Sequence, residues 1–303
     1  MADRNRVGIF KTIGETVVLY FKNFPLLFSI TLTGMIPMIG YLYFFIKDPK
    51  FADKTTLALV AVLVPLAVII GMASYGALFK AFSALYRKEK TGFFEAYKTG
   101  FQRLFRLLAA YLFYALWIMA GIVMLIIPGF VFLAKYSLAP AVAVLEDVKL
   151  SPIKMSAKLT KGFKFEIFIA FILVYIPIYI PGQIISYLSG AYSTPQPLPS
   201  FNVMMLAMLP GLILGAICAG LLVVFYEKLK EIKKEELKPE ELKGMNTPLG
   251  CFLSLLLFVA FYAAIIAGAI VTMKVMGVDL KKPAATSQPA PDSQPAAKKN
   301  AGK

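Results

Sequence analysis

Residues 107–145 read LLAAYLFYALWIMAGIVMLIIPGFVFLAKYSLAPAVAVL, an apolar stretch interrupted by one charge, Lys135. As a single helix it would be about 58 Å long, nearly twice the ~30 Å hydrocarbon thickness of a bilayer, so one ordinary span is excluded. Pro128-Gly129, at its centre, sets a helix breaker beside a turn former. Either the chain doubles back there, or one kinked helix runs far out of the bilayer. The Lys and Arg distribution favours reversal. With a turn at Pro128 and the N-terminus inside, the cytoplasmic segments hold most of the cations; without it the two sides are nearly even.

Working outward, further charge-free runs extend from Phe24 to Ile46, Thr55 to Phe79, Ile167 to Tyr226 and Leu249 to Met273. The third is about two spans long and is split by the turn-rich Ser189-Gly190-Ala191-Tyr192-Ser193-Thr194-Pro195 and the prolines that follow. The predicted fold is all-α: a polytopic transmembrane helix bundle of six to seven spans plus interfacial amphipathic helices. It divides into an interfacial helix (1–23), a core membrane domain (24–226), a charged cytoplasmic helix or linker (227–248), an additional span (249–276) and a disordered tail (277–303). The core spans are expected near 24–46, 55–79, 107–127, 129–145, 167–188 and 203–226. Composition agrees: 59% of the 303 residues are hydrophobic and 16% charged, against an apolar share of roughly 45–50% in soluble domains.

Three basic amphipathic helices are predicted beside the spans. Phe10, Ile13, Val17, Phe21 and Phe24 recur every three or four residues, the pattern of a helix lying in the interface. Because the segment alternates polar and apolar groups, no cleaved signal peptide is expected. Phe94, Tyr97, Phe101, Leu104 and Leu108 form a second stripe, opposite Lys98, Gln102, Arg103 and Arg106. Ser151-Pro152 supplies an N-cap and first-turn proline for a third, with Lys154, Lys158 and Lys161 along one face. Anionic lipid headgroups are the expected partners of Arg103, Arg106, Lys154, Lys158 and Lys161, since each cation near a negative surface contributes about 1 kcal/mol. Routine topology signalling also accounts for these cations. The net charge of +15 sits in short segments beside apolar spans, so nucleic acid is not an expected partner. Glu227 to Lys243, laced with Glu-to-Lys pairs at spacing three, reads as a solvated helix continuing out of the preceding span.

The sequence is poor in catalytic groups. It has no histidine, which removes the commonest acid/base group and metal ligand. Its two cysteines, Cys218 and Cys251, fall in different spans, and no Gly-rich phosphate loop occurs. Neither an enzyme nor a cofactor is expected. Lys135 is the one clear intramembrane charge, and such a charge normally faces a cavity or a partner. Pro181-Gly182 and Pro210-Gly211 are predicted to break their helices at a matching depth in the outer half of the bundle. They would free backbone carbonyls for a polar site with Lys135, Pro128 and Gly129. The bland alternative is a lysine that reaches outward past ordinary membrane prolines.

Ile127-Pro128-Gly129, Lys135-Tyr136-Ser137, Ala139-Pro140, Leu145-Glu146, Ser156 and Leu159-Thr160-Lys161-Gly162 together resemble the central signature of the glycerophosphodiester phosphodiesterase membrane-domain-like family of bacterial inner-membrane proteins. Pro152 and Ala157 depart from the pattern. The resemblance implies a cell-membrane location and a role in lipid or envelope upkeep. It implies no phosphodiesterase activity, because the histidines and acidic metal ligands of the catalytic relatives are missing here. The expectation is therefore a non-catalytic membrane protein that organises lipid or partners, with a transporter or lipid-translocating protein centred on Lys135 as the alternative.

Overall fold

The computed structural model describes residues 7–47, 54–124, 126–147, 149–188, 201–237 and 242. The predicted turn at 189–200, span at 249–276 and tail at 277–303 lie outside them. Among the described residues the fold is all-helical: α1 (Ile9–Lys22), α2 (Phe24–Lys47), α3 (Lys54–Tyr86), α4 (Phe93–Gln102), α5 (Leu104–Met124), α6 (Ile126–Tyr136), α7 (Ala139–Leu145), α8 (Pro152–Leu159), α9 (Lys164–Leu188) and α10 (Phe201–Ile232). Five segments are long and apolar enough to cross a membrane: Phe24–Phe44, Ala58–Tyr86, Leu104–Val123, Ile127–Leu145 and Met208–Ile232.

The chain does reverse inside the 107–145 stretch. Instead of a rod, α5 and α6 form a hairpin in which a Cβ on Gly121 would stand 2.8 Å from the Cα of Gly129. The Trp117 ring lies 5.5 Å from Phe132 and 5.6 Å from Tyr136. The reversal falls between Gly121 and Gly129, which meet across the hairpin. Pro128 stands in the first turn of α6, where its missing N–H costs no helical hydrogen bond. Gly129 is needed for contact, because any side chain there would run into Ile122. Gly121→Val should therefore pry the hairpin open at about 1–3 kcal/mol. A thermal aggregation midpoint in detergent several degrees below wild type is the expected result, and an unchanged midpoint would show that the two helices do not touch there.

At about 50 and 48 Å, α3 and α10 are much longer than a bilayer is thick. Their excess length gathers at one end, where the charged residues are. There α3 buries Leu78, Phe79, Ala81 and Phe82, and α10 buries Phe225, Tyr226 and Leu229, while the other half of α3 leaves Val62, Leu66 and Ile69 uncovered. The short helices complete this layer. α1 packs on α9 and α10, α4 on α3, and α7 on α3, α5 and α8. All of α7 from Ala139 to Val144 is buried.

α1 and α4 pack only part of their apolar side on the protein, with Ile9, Ile13 and Val17 of α1 and Phe93 of α4 against the core. α1 turns Thr12, Thr16 and Tyr20 inward and leaves Phe10, Val18 and Phe21 outward. The two threonine hydroxyls donate to carbonyls one turn earlier, of Gly8 and Thr12, so their burial leaves no donor unmet. α4 buries Ala96, Tyr97 and Gly100 and exposes Phe94 and Phe101. α8 begins as its sequence predicts, with Ser151 accepting from the Lys154 amide and Pro152 in the first turn. Gly162, at φ +90°, redirects the chain into α9, a left-handed conformation that glycine adopts without strain.

Candidate functional site at the charged end of the bundle

The last turns of α10 are the hub of this end. At 100° per residue, Tyr226, Lys230 and Lys233 share one face, Glu227 points a quarter turn away, and Lys228 points to a third side. Each direction meets a different element. Glu227, only 9% exposed, accepts from Ser83 Oγ at 2.6 Å and from Arg87 Nε and Nη2 at 3.1 Å, which ties α10 to α3. Lys228 Nζ lies 2.6 Å from Glu15 and 3.0 Å from Thr12 Oγ1, which ties it to α1. Tyr226 and Lys230 both donate to Glu146, at the end of α7.

Lys233 donates to the carbonyls of Lys158 at 2.9 Å and Lys161 at 2.6 Å, placing an ammonium on the negative end of α8. Burial pushes its pKa below the ordinary lysine value, with Glu236 working the other way. Of the expected solvated helix at 227–243, Glu227, Leu229 and Lys233 are buried in this junction, whereas Glu231, Lys234, Glu235 and Glu236 are exposed. Its long-range partners were invisible in the local Glu-to-Lys spacing.

The sequence-predicted site residues do not converge. Lys135 stands near the foot of the hairpin, with its Nζ over the rings of Tyr136 (4.9 Å) and Phe132 (5.8 Å). Its backbone carbonyl accepts from Ser156 Oγ at 2.9 Å and Thr160 Oγ1 at 3.0 Å. Thr160 comes just before α9, and further along the two helices Phe130 packs on Phe168 at 5.3 Å. Lys135 is therefore level with the start of α9, whereas Pro181 lies about 25 Å along that helix. The expected common depth is not met, because α8 folds back against α6 and pins it near the charged end. α9 and α10 also run unbroken through Pro181 and Pro210. Pro128 and Gly129 serve the hairpin contact.

Among the expected headgroup contacts, Arg106 is committed internally, donating to the carbonyls of Glu146 and Leu150 at 2.7 Å each. Arg103 ends α4, with its amide bonded back into that helix. Lys154 and Lys161 are exposed, and Lys158 is half-buried. No family model, curated protein or solved structure matches this chain.

Sequence reasoning missed the roles of Ser156 and Thr160, although both fall among the residues of the quoted signature. The break between α6 and α7 leaves the Lys135 carbonyl without a helical donor, and two hydroxyls one turn apart on α8 satisfy it. A Ser-x-x-x-Thr pair downstream of a proline-broken apolar helix is the only trace in the sequence.

Cavities open among the described residues. One of about 230 Å³ is lined by Glu146, Leu150, Met155, Lys230, Lys234, Leu237 and Leu242. Another, of about 130 Å³, lies between α2, α3 and α10 and is floored by Gly34, Gly71, Gly211 and Gly215. Lys135 lines neither. Among the described residues no group of three His, Cys, Asp or Glu side chains could hold a metal ion. The charged end is thus a set of internally paired ions with outward-facing aromatics and lysines around it, which is chemistry for holding a shape.

Proposed function

We propose that this is a non-catalytic integral membrane protein of the cell inner membrane that gathers anionic lipids around its charged end. The observation that carries the reading is the set of aromatic side chains that α1 and α4 leave uncovered. Phe10 (79% exposed) and Phe94 (85% exposed) point away from the protein, and Lys11, Lys22 and Lys98 are exposed on the same two helices. That combination fits aromatics set among acyl chains with ammonium groups at headgroup level. The charged end is cytoplasmic in this reading. It collects the cations of α1, α4, α8 and α10, whereas the opposite end offers only Lys47, Lys50 and Lys54 between α2 and α3 and no cation between α9 and α10. The chain then starts inside, with α2, α3, α9 and α10 crossing the bilayer and the α5–α6 hairpin adding no change of side.

The test is lipid retention. Protein purified from membranes holding both phosphatidylglycerol and phosphatidylethanolamine should keep the anionic lipid in excess. The triple substitution Lys98→Gln, Lys154→Gln and Lys161→Gln should cut that excess several-fold, since each charge contributes about 1 kcal/mol. Equal retention of the two lipids by the unaltered protein would refute the reading.

A further inference from the structure

The start of α5 is tied to the segment that follows α7, Arg106 being bonded to the carbonyls of Glu146 and Leu150, and α6 packs along α5. How far its tip reaches follows from two independent side-chain contacts. Starting from the Phe130–Phe168 pair, α9 continues about 30 Å to Leu188, while α6 has only about 6 Å left to its start at Ile126. Starting from the Tyr75–Tyr111 pair, α3 continues about 32 Å to Lys54, and α5 only about 20 Å to Met124. The hairpin falls short of the far end of α3 by about 12 Å and of α9 by about 24 Å. The second figure decides, because it is more than two phenylalanine side chains can bridge.

The side chains along the hairpin agree. Trp117, Tyr136 and the Lys135 ammonium cluster partway along it, the residue types that mark the headgroup level. From Lys135 to the turn is about 14 Å, close to the thickness of one leaflet. Beyond that level the surface is apolar and uncovered: Met119, Ile122, Val123 and Ile127 are all exposed.

From this geometry we propose that α5–α6 is a re-entrant hairpin embedded in the leaflet at the charged end. Together with the aromatic faces of α1 and α4 it makes the protein a wedge that favours membranes convex on that side. Apolar volume enters one leaflet through three elements, with no hairpin and no amphipathic helix among the described residues to balance it in the other. Amphipathic insertion of this kind is curvature-sensitive, because it expands the leaflet that receives it. The inference rests on the protein being embedded in a bilayer but not on recognition of anionic headgroups.

The test uses the full chain with Cys218 and Cys251 replaced by alanine, reconstituted in giant vesicles of phosphatidylcholine alone, so that headgroup charge plays no part. In the first arm, Val123→Cys and Tyr187→Cys variants are treated with a membrane-impermeant maleimide on the side away from the charged end. Tyr187→Cys should react and Val123→Cys should not; labelling of both would make the hairpin a full crossing and overturn the proposal. In the second arm, a Lys234→Cys variant is labelled from outside with an impermeant dye, so that only molecules with the charged end outward are seen. Narrow tethers pulled from these vesicles should be enriched at least ~2-fold in labelled protein over the vesicle body. Equal density in tether and body overturns the wedge even if the hairpin is re-entrant. Anionic-lipid retention, measured separately, reports on the other reading alone.

Discussion

Arg87→Ala should destabilise the protein more than any other single charge deletion at the charged end. Its partner Glu227 is nearly sealed, held by Ser83 and by two guanidinium nitrogens. Removing the arginine leaves a carboxylate with one hydroxyl donor in a site that water barely reaches. Breaking a fully buried pair costs about 3–5 kcal/mol. The Arg87 side chain is 42% exposed, which discounts the figure to about 2 kcal/mol. The thermal aggregation midpoint in detergent should fall accordingly. Adding Glu227→Gln should recover much of the loss, because no charge is then left uncompensated. A double variant no better than the single one would mean that the pair contributes through packing and not through charge.

Gly100→Val should be as damaging for a different reason. A side chain at Gly100 would press on the carbonyl oxygen of Ala73 and stand 2.9 Å from the Ala77 amide nitrogen, with Gly76 directly across. These are backbone atoms, which cannot swing aside, so α4 must lift off α3. Tyr97 would then lose its hydrogen bonds to Ser74 (2.6 Å) and to the Ile30 carbonyl (2.9 Å). A loss of about 3 kcal/mol is expected. Limited proteolysis between Arg87 and Arg103 should accelerate at least about tenfold as α4 becomes accessible. Gly14→Ala is the matched control, with open space around the added carbon and a gain of about 0.5–1 kcal/mol in helix propensity. If the two substitutions behaved alike, the tight α3–α4 approach would be refuted.

The helical class and the reversal were legible because both depend on local rules. A run of apolar residues must satisfy its backbone within itself in lipid, and a proline beside a glycine halts a helix. The close approach of Gly121 to Gly129 across the hairpin was not, since it is a fit between two helices. The depth of Lys135 was misjudged for a similar reason. It follows from two hydroxyls on α8, residues 156 and 160, that no periodicity brings to residue 135. For α1 and α4 the stripe was found, and Ile13, Val17 and Tyr97 from it pack on the protein. That Phe10 and Phe94 stay uncovered while Thr12, Thr16 and Gly100 are buried could not be inferred from the period. The charged stretch after Tyr226 misled most, because its near-neighbour pairs supplied a sufficient local reading while Arg87, Glu15 and Glu146 were the partners.

The clasp between Lys228 and the first helix, Thr12 and Glu15, also dictates an order of events during synthesis. The segment that leaves the ribosome first meets α2, α3 and α9 before α10 exists, but its ionic partner arrives only when residue 228 has been made. Glu15 and the Thr12 hydroxyl thus wait for the final described helix to lock the first one down.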